Sequence, residues 1–246
     1  MTQTELISYC RELQQFDTPT ISNALECFPD FKRGTGFMDY TIKSVIPCGM
    51  TLVGPAATAK IATKNPPTEE ENAKMMPYYA HVREMGPGCI VVQQDMDEVP
   101  CGSFWGEVNA TVHKSLGCKG VVTSGGVRDL KEVSELGFGY FAKEVVVSHA
   151  FTHVVDFACS VTVGGLQIEP GDIIACDQHG VVKIPVSYLS RLAEACRRIA
   201  AAELPVLEPC RRALLLGEIV SIEDLSVWRK GMAEARKAAA FSECKK

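Results

Sequence analysis

Two glycines, an arginine and an aspartate, set between a β-branched run and a helical pattern, constrain this chain more than any other stretch. Lys119-Gly120-Val121-Val122-Thr123 has the composition of a buried strand, and Gly125-Gly126 permit backbone angles or close approaches denied to residues with a Cβ. From Leu130 the spacing Leu130, Val133, Leu136 is helical, and Gly137 stops it. The stretch therefore reads as strand, tight turn, helix. Arg128 and Asp129 fall at the strand's end, where polar groups converge on ligands in α/β proteins. A planar fork of donors beside a hard oxygen ligand suits a cation and the oxo-anion it polarises. A plainer reading makes Asp129 the N-cap of the helix, with Glu132 completing a capping box and Arg128 a solvated charge.

The preceding segment repeats the pattern. Gly88-Cys89-Ile90-Val91-Val92-Gln93-Gln94-Asp95 reads as a buried strand, and the turn-rich stretch from Asp97 to Ser103 leads to Phe104-Trp105-Gly106-Glu107. Glu107 to Leu116 reads as a helix with Val108, Val112 and Leu116 on one face and Gly117 after it. Gly106 and Glu107 lie at its N-terminus, where the unpaired amides of Val108 and Asn109 form a ready carboxylate site. Twenty residues separate Glu107 from Arg128-Asp129. Two successive strand-turn-helix units thus each deliver an acid to one sheet edge, within a mixed α/β fold whose helices flank the central strands.

This constellation, an acid, twenty residues and then Arg-Asp, framed by Trp105-Gly106-Glu107 and Gly125-Gly126-Val127-Arg128-Asp129, resembles the metal-dependent aldolases acting on 4-hydroxy-4-methyl-2-oxoglutarate and 4-carboxy-4-hydroxy-2-oxoadipate. Those enzymes share a fold with the regulator of ribonuclease E activity. The similarity extends from Asp17-Thr18-Pro19-Thr20-Ile21-Ser22-Asn23-Ala24-Leu25 to Pro185 and includes Pro170-Gly171-Asp172 and Gly180-Val181-Val182. Two departures stand out. Asn23 occupies a place where the family often has aspartate, and Val147-Ser148-His149-Ala150-Phe151-Thr152-His153 replaces a region usually rich in Arg, Gly, Ser and Pro.

The resemblance implies a swivelling β/β/α, phosphohistidine-domain-like architecture: a mixed sheet, flanking helices and a β-meander in one domain over 1–246, with 187–246 as a helical C-terminal extension. It implies class II retro-aldol cleavage of a 4-hydroxy-2-oxo acid, releasing pyruvate through a metal-stabilised enolate. In that scheme Mg2+ or Mn2+ sits on Asp129, Glu107 holds its waters, and Glu203 from a neighbouring subunit contributes a further acid. Arg128 neutralises the enolate oxygen, and Gly106 with the Val108 and Asn109 amides holds the substrate carboxylate. Homotrimers or homohexamers with sites between subunits are implied, and oxaloacetate decarboxylation, which passes through the same pyruvate enolate, is a related activity. A function of a different class, a non-catalytic regulator binding an endoribonuclease, keeps the fold and does not require Asp129.

With 246 residues and 46% hydrophobic content the chain readily builds a buried core. A net charge of −5 and the lack of any basic run weigh against nucleic acid as a partner. The N-terminus Met1-Thr2-Gln3-Thr4-Glu5 is unlike a signal peptide, and no apolar run reaches membrane-spanning length, so a soluble, cytoplasmic protein is expected. The eleven cysteines, at 10, 27, 48, 89, 101, 118, 159, 176, 196, 210 and 244, include no C-x-x-C pair. They are expected to be reduced and mostly in the core. Cys101 lies on the loop before Phe104 but has no assignable base for a nucleophilic role.

Elsewhere the patterns predict helices over Glu5–Phe16 and Thr20–Phe28, a strand or strand pair over Thr51–Lys64, and a plain turn at Gly34-Thr35-Gly36. Thr68 and Glu71 form a capping box for a helix that Pro77 is expected to interrupt, in a charged surface segment. Phe138–Ser148 reads as a third strand of the central set. His149 and His153 lack the following Glu of a zincin helix and are expected to line or cap a loop. Ser160–Ile168, Asp172–Cys176 and Gly180–Ile184 read as short antiparallel strands. Beyond Ser187, Leu189, Leu192, Cys196 and Ile199 form a helical stripe, and Ser221 with Asp224 caps a last helix carrying Leu225, Trp228 and Met232.

Overall fold

The structure, a computed structural model, describes residues 1–47 and 49–241. The chain opens with α1 (Gln3–Leu13), whose N-cap Thr2 and N3 residue Glu5 form a reciprocal capping box, and α2 (Thr18–Leu25). The short β1 (Lys43–Ser44) precedes β2 (Leu52–Ala62), a single strand of eleven residues rather than a pair. Next come α3 (Glu69–Asn72) and α4 (Met75–Glu84). The break between them falls at Ala73-Lys74, not at Pro77. Pro77 sits in the first turn of α4, where its missing N–H would have had no intrahelical acceptor anyway.

The central units follow in order: β3 (Ile90–Asp95), β4 (Ser103–Trp105), α5 (Glu107–Ser115), β5 (Gly120–Val127), α6 (Leu130–Leu136) and β6 (Gly139–Val145). After them run β7 (His153–Phe157), β8 (Val161–Val163), β9 (Leu166–Ile168), β10 (Ile173–Asp177) and β11 (Gly180–Ile184). The stretch Ser160–Ile168 is thus not one strand but a hairpin, because Gly164 and Gly165, at φ +53° and +71°, turn it back. The chain ends in α7 (Leu189–Leu216) and α8 (Ile222–Ala239), joined through Gly217 at φ +68°.

One mixed sheet organises these strands in the order β1-β6-β5-β3-β2-β10-β11, with β4 added to β5 and β7 to β2. The run β6-β5-β3-β2 is parallel, so four strands end on one edge. Strand β10 returns antiparallel on the first half of β2, and β7 on its second half. Alternation along the parallel strands supplies two cores. Val91, Val121 and Tyr140 face a layer containing Tyr78, Val82, Ala110 and Val133 of the helices, together with Trp105 and Phe138. Ile90, Val92, Val122 and Phe141 face the opposite way, onto Met38, Ile42 and the β8–β9 hairpin. This double burial explains why the strands read as continuous apolar runs rather than as half-polar ones.

The chain separates into two compact units, Met1–Thr18 with Gly36–Val186, and Pro19–Thr35 with the chain from Ser187. The second unit therefore includes residues 19–35 as well as the terminal helices. Within it, Leu189, Leu192, Cys196 and Ile199 are buried, Phe28 stacks on Tyr188 with ring centroids 4.2 Å apart, and the Arg191 guanidinium lies 3.6 Å from the centre of the Phe241 ring. Leu225, Trp228 and Met232 are half-buried, and the Ser221 hydroxyl accepts from the Asp224 amide as the sequence implied. The described cysteines are reduced thiols. Six are buried, Cys159 and Cys210 are half-buried and Cys101 is exposed, while Cys48 and Cys244 lie outside the described residues. No helix among the described residues is long and apolar enough to cross a membrane.

Candidate active site at the carboxyl edge of the sheet

Strand β5 carries the site to the sheet's edge, and its glycines work differently from a turn. Gly125 and Gly126 remain within the strand, and neither has a positive φ. They are small because neighbours press on them. A Cβ on Gly125 would lie 2.8 Å from an Asp95 carboxylate oxygen, and one on Gly126 would lie 2.5 Å from Val146 Cγ2. The bend comes three residues after Gly126. Asp129 adopts the left-handed conformation, φ 56° and ψ 45°, which an L-residue with a side chain occupies only at a cost.

That backbone geometry excludes the capping reading of Asp129. Its side chain makes no bond to the first turn of α6. Instead its Oδ2 accepts from the Glu107 amide at 2.9 Å, reaching across to the start of α5. The Arg128 Nε lies 3.9 Å from the same oxygen, the Arg128 amide donates to the Trp105 carbonyl at 2.9 Å, and Arg128 Nη1 donates to the Val147 carbonyl at 3.4 Å. Both side chains are about one-third exposed, at 35% and 36%, so each is held by the fold and still open to a ligand.

Gly106 makes this closure fit. A Cβ there would sit 2.5 Å from Asp129 Oδ2 and 3.0 Å from Arg128 Nε. Gly106 is also the N-cap of α5 and offers no side chain to the first turn. The Glu107 amide is taken by Asp129, while the Val108 and Asn109 amides belong to a first turn that has no intrahelical acceptors for them. The structure thus brings Gly106, Glu107, Arg128 and Asp129 together, with the Val108 and Asn109 amides adjoining. The Glu107 side chain is exposed.

The face of α5 differs from the sequence expectation. Val108 is 76% exposed, Val112 and Leu116 are half-buried, and the fully buried positions are Ala110 and His113. The registration follows from His113, whose ring replaces an aliphatic anchor. Its Nδ1 donates to the Asn109 carbonyl at 2.6 Å, so its Nε2 accepts from the Tyr78 hydroxyl at 2.8 Å. Burial pushes the imidazole pKa down to about 4. Asn109 is also occupied through its side chain, which donates to the Phe104 carbonyl at 2.6 Å and accepts from the Tyr79 hydroxyl at 3.0 Å, leaving only its backbone amide for a ligand.

Two further buried groups, one at this edge and one whose ionisation feels Asp129, were not singled out in the sequence. Asp95 ends β3 with Oδ2 buried and without a hydrogen-bond partner among the described residues, and burial raises its pKa to about 6, against the opposing Asp97 amide bond. Tyr140, on β6, has a buried hydroxyl that likewise lacks such a partner. Its ionisation is pushed up by burial first and by the Asp129 carboxylate second. Neither has a signal in a linear pattern, since one reads as a strand end and the other as a core aromatic. Gln93 adds to this interior, its Oε1 accepting from Trp105 Nε1 at 2.7 Å.

The remaining candidates fall elsewhere. His149 is exposed and bonded through Nδ1 to the Ala150 carbonyl. His153 is buried, bonded through Nδ1 to the Phe151 carbonyl, with Nε2 3.8 Å from Glu71. Both therefore close the loop between β6 and β7. Cys101 lies 3.5 Å from the Thr63 hydroxyl, and Glu203, on α7, pairs with Arg236 at 2.7 Å inside the helical unit.

Residues 18–183 match the family described as RraA-like, Aldolase/RraA. The chain is 31% identical over 122 residues to an uncharacterized protein of Methanocaldococcus jannaschii, a match covering 49% of this chain and 59% of that one. It is 28% identical over 189 residues to a Halalkalibacterium halodurans protein named "Putative 4-hydroxy-4-methyl-2-oxoglutarate aldolase", covering 75% of this chain and 80% of that one. Among solved structures, Streptomyces coelicolor RraAS2, described as an unusual member of the RNase ES inhibitor RraA protein family, superposes with a TM-score of 0.63 at 22% identity, over 83% of this chain and 96% of that one. That likeness concerns the fold.

Proposed function

Because the chain belongs to the RraA-like, aldolase/RraA family, we propose that it cleaves a 4-hydroxy-2-oxo acid of the 4-hydroxy-4-methyl-2-oxoglutarate or 4-carboxy-4-hydroxy-2-oxoadipate type in a retro-aldol reaction that releases pyruvate. The observation that carries this reading is the Asp129 carboxylate, turned away from its own helix and held at the Glu107 amide beside the Arg128 guanidinium. A binding protein has no need to keep a strained, open carboxylate there, since strain of this kind persists where it serves a site.

The donor set suits a hard divalent cation. Asp129 offers charged oxygen, Glu107 stands exposed beside it, and among the described residues no group of three or more His, Cys, Asp or Glu forms a closed cage. Mg2+ characteristically takes one or two carboxylates and keeps waters and substrate oxygens in its other positions. Asp129 would hold Mg2+ or Mn2+, with Glu107 orienting water around it. When bound, the cation supplies Lewis-acid polarisation of the 2-oxo group.

This chain's own residues do the rest. The amides of Val108 and Asn109, over the side-chain-free Gly106, bind the substrate carboxylate at the start of α5. As the C4 hydroxyl loses its proton and the C3–C4 bond breaks, C4 becomes a carbonyl. The electron pair passes through C3 onto the 2-oxo oxygen, and Arg128 meets that negative charge with a planar fork of donors. Protonation at C3 completes pyruvate. Oxaloacetate loses carbon dioxide with the same development of charge and belongs in the substrate panel as a second activity of the site. The assembly we propose is a homotrimer or homohexamer. Glu203 of the partner subunit is the acid expected to reach the site, once released from its Arg236 partner.

Pyruvate release from a panel of 2-oxo acids, with and without divalent metal, tests the proposal. Exhaustive chelation abolishes release and Mg2+ or Mn2+ restores it. Full turnover after chelation rejects the metal. No turnover with any 2-oxo acid, together with retained binding to an endoribonuclease, selects the inhibitor function that the Streptomyces relative's description names.

A further inference from the structure

At the edge of the sheet opposite the Arg128-Asp129 site, where β3 and β5 begin, helix α1 roofs a cavity of about 280 Å3. Lys119 precedes β5 and Arg128 follows it, so the two places are roughly 25–30 Å apart along the strand. Leu6 and Ile7 of α1, Pro55 of β2 and Met85 beyond α4 supply apolar walls. The backbone forms the floor. A Cβ on Gly54 would lie 2.0 Å from the Gly88 carbonyl oxygen, so β2 and the turn before β3 are in direct contact. Gly88, at φ +90°, leaves open the space that a side chain would fill 3.4 Å from Lys119 Cε.

The charge of this cavity is one-sided. Lys119 and Arg11 line it, and none of its lining residues is acidic. Lys119 is half-buried and makes no ion pair with a carboxylate among the described residues. The other titratable group beside it is the Cys10 thiol, which burial keeps protonated, its pKa pushed up to about 11. Burial and the nearby Arg11 in turn lower the proton affinity of Lys119. A cation held in a partly apolar cavity without a counter-charge is stabilised by an anion that brings its own apolar surface.

We propose that this cavity binds a small organic monocarboxylate with an unbranched apolar tail, its carboxylate on Lys119 and Arg11 and its tail along Leu6, Ile7 and Met85. The volume falls at the small end of ligand pockets, about 300 Å3, which suits a chain of about six carbons.

Isothermal titration of the full-length protein with hexanoate, hexanol and hexylamine tests the proposal directly and needs no turnover. Hexanoate is expected to bind at least about tenfold more tightly than hexanol, with hexylamine giving no heat. Lys119→Met is expected to weaken hexanoate by about tenfold or more, Arg11→Gln by a smaller factor, and Leu6→Trp to abolish binding by filling the space. Asp129→Asn leaves the affinity unchanged, which separates this cavity from the carboxyl-edge site. Should Lys119→Met not fold, Arg11→Gln and Leu6→Trp, on the surface helix, carry the test. Equal binding of hexanoate and hexanol, no binding of hexanoate, retention of affinity in the Lys119 and Leu6 variants, or loss of affinity in Asp129→Asn overturns it.

Discussion

At the start of α3 the Thr68 hydroxyl accepts from the Glu71 amide at 3.2 Å, and the Glu71 carboxylate accepts from the Thr68 amide at 2.8 Å. At the start of α6 the Asp129 side chain makes no bond to its own helix and holds the amide of Glu107 instead. The two stretches carry similar letters, Thr-x-x-Glu and Asp-x-x-Glu, yet one closes on itself and the other opens. The difference lies in the backbone conformation of the first residue. Thr68 has φ −71°, in the extended region from which a cap can bend over its first turn, whereas Asp129 has φ 56° and points its carboxylate out of the turn. The left-handed conformation costs about 1–2 kcal/mol, and the closed box stabilises by about 1 kcal/mol. Stability therefore favours the first arrangement, and the second stands at the carboxyl edge of the sheet, where we propose the site.

The largest expected effect from breaking the open member is in Asp129→Asn. Asparagine tolerates the left-handed region, and its amide oxygen can still accept from Glu107, so thermal stability without metal should shift little. Its loss of charge should remove both the turnover and the rise in Tm with Mg2+ or Mn2+ that are expected of the native protein, read by differential scanning fluorimetry with pyruvate detection. A variant that keeps both would make Asp129 a structural residue like Thr68. Arg128→Lys comes next. It keeps the charge but not the fork, and kcat is expected to fall roughly 100-fold with an unchanged circular dichroism spectrum. An unchanged kcat would mark Arg128 as a surface charge.

Asp95 extends the comparison to pH. Its folded pKa of about 6 lies above the ordinary aspartate value, so the native state binds the proton more tightly than the unfolded chain. The stabilisation is complete below about pH 4 and lost as pH rises through 6. Asp95→Asn should therefore exceed the native protein in stability at pH 7 by up to about 2–3 kcal/mol, and the advantage should vanish near pH 4 in urea melts. A constant difference across that range would show that Asp95 is not the titrating group. Thr68→Ala, at the closed member, is the smallest change. It should cost about 1 kcal/mol of stability and leave kcat and KM alone. A kinetic effect would give the segment around α3 a part in the reaction.

Much of this was legible because it is local. The β-branched runs of β3 and β5, the Thr68–Glu71 box, the Ser221 cap and the Leu189–Ile199 stripe follow from spacing and residue type, since each depends on neighbours within a turn or a pleat. The glycine pair at 125–126 was visible, but its cause was not. Asp95 and Val146, which press on it, are thirty and twenty residues away along the chain, so no turn is needed there. His113 was hidden for a related reason. A histidine counts as polar in a helical pattern, and only the Tyr78 hydroxyl and the Asn109 carbonyl make it a core residue, turning Val108 outward.

By itself the sequence determined which residues could do chemistry, an acid, an arginine and an aspartate at the ends of two strand-helix units, because side-chain type and strand register are intrinsic to the chain. Tertiary structure alone decided what those residues do with their oxygens and amides. Whether Asp129 caps α6 or reaches to α5 depends on the parallel addition of β4 to β5, which sets Trp105, Gly106 and Glu107 beside Val127, Arg128 and Asp129. The close approach over Gly106 then leaves room for the Asp129 carboxylate and the Arg128 guanidinium where a Cβ would clash with both. Such a choice is a contest between local and long-range hydrogen bonds, and pairing across twenty residues settles it only once the sheet has formed.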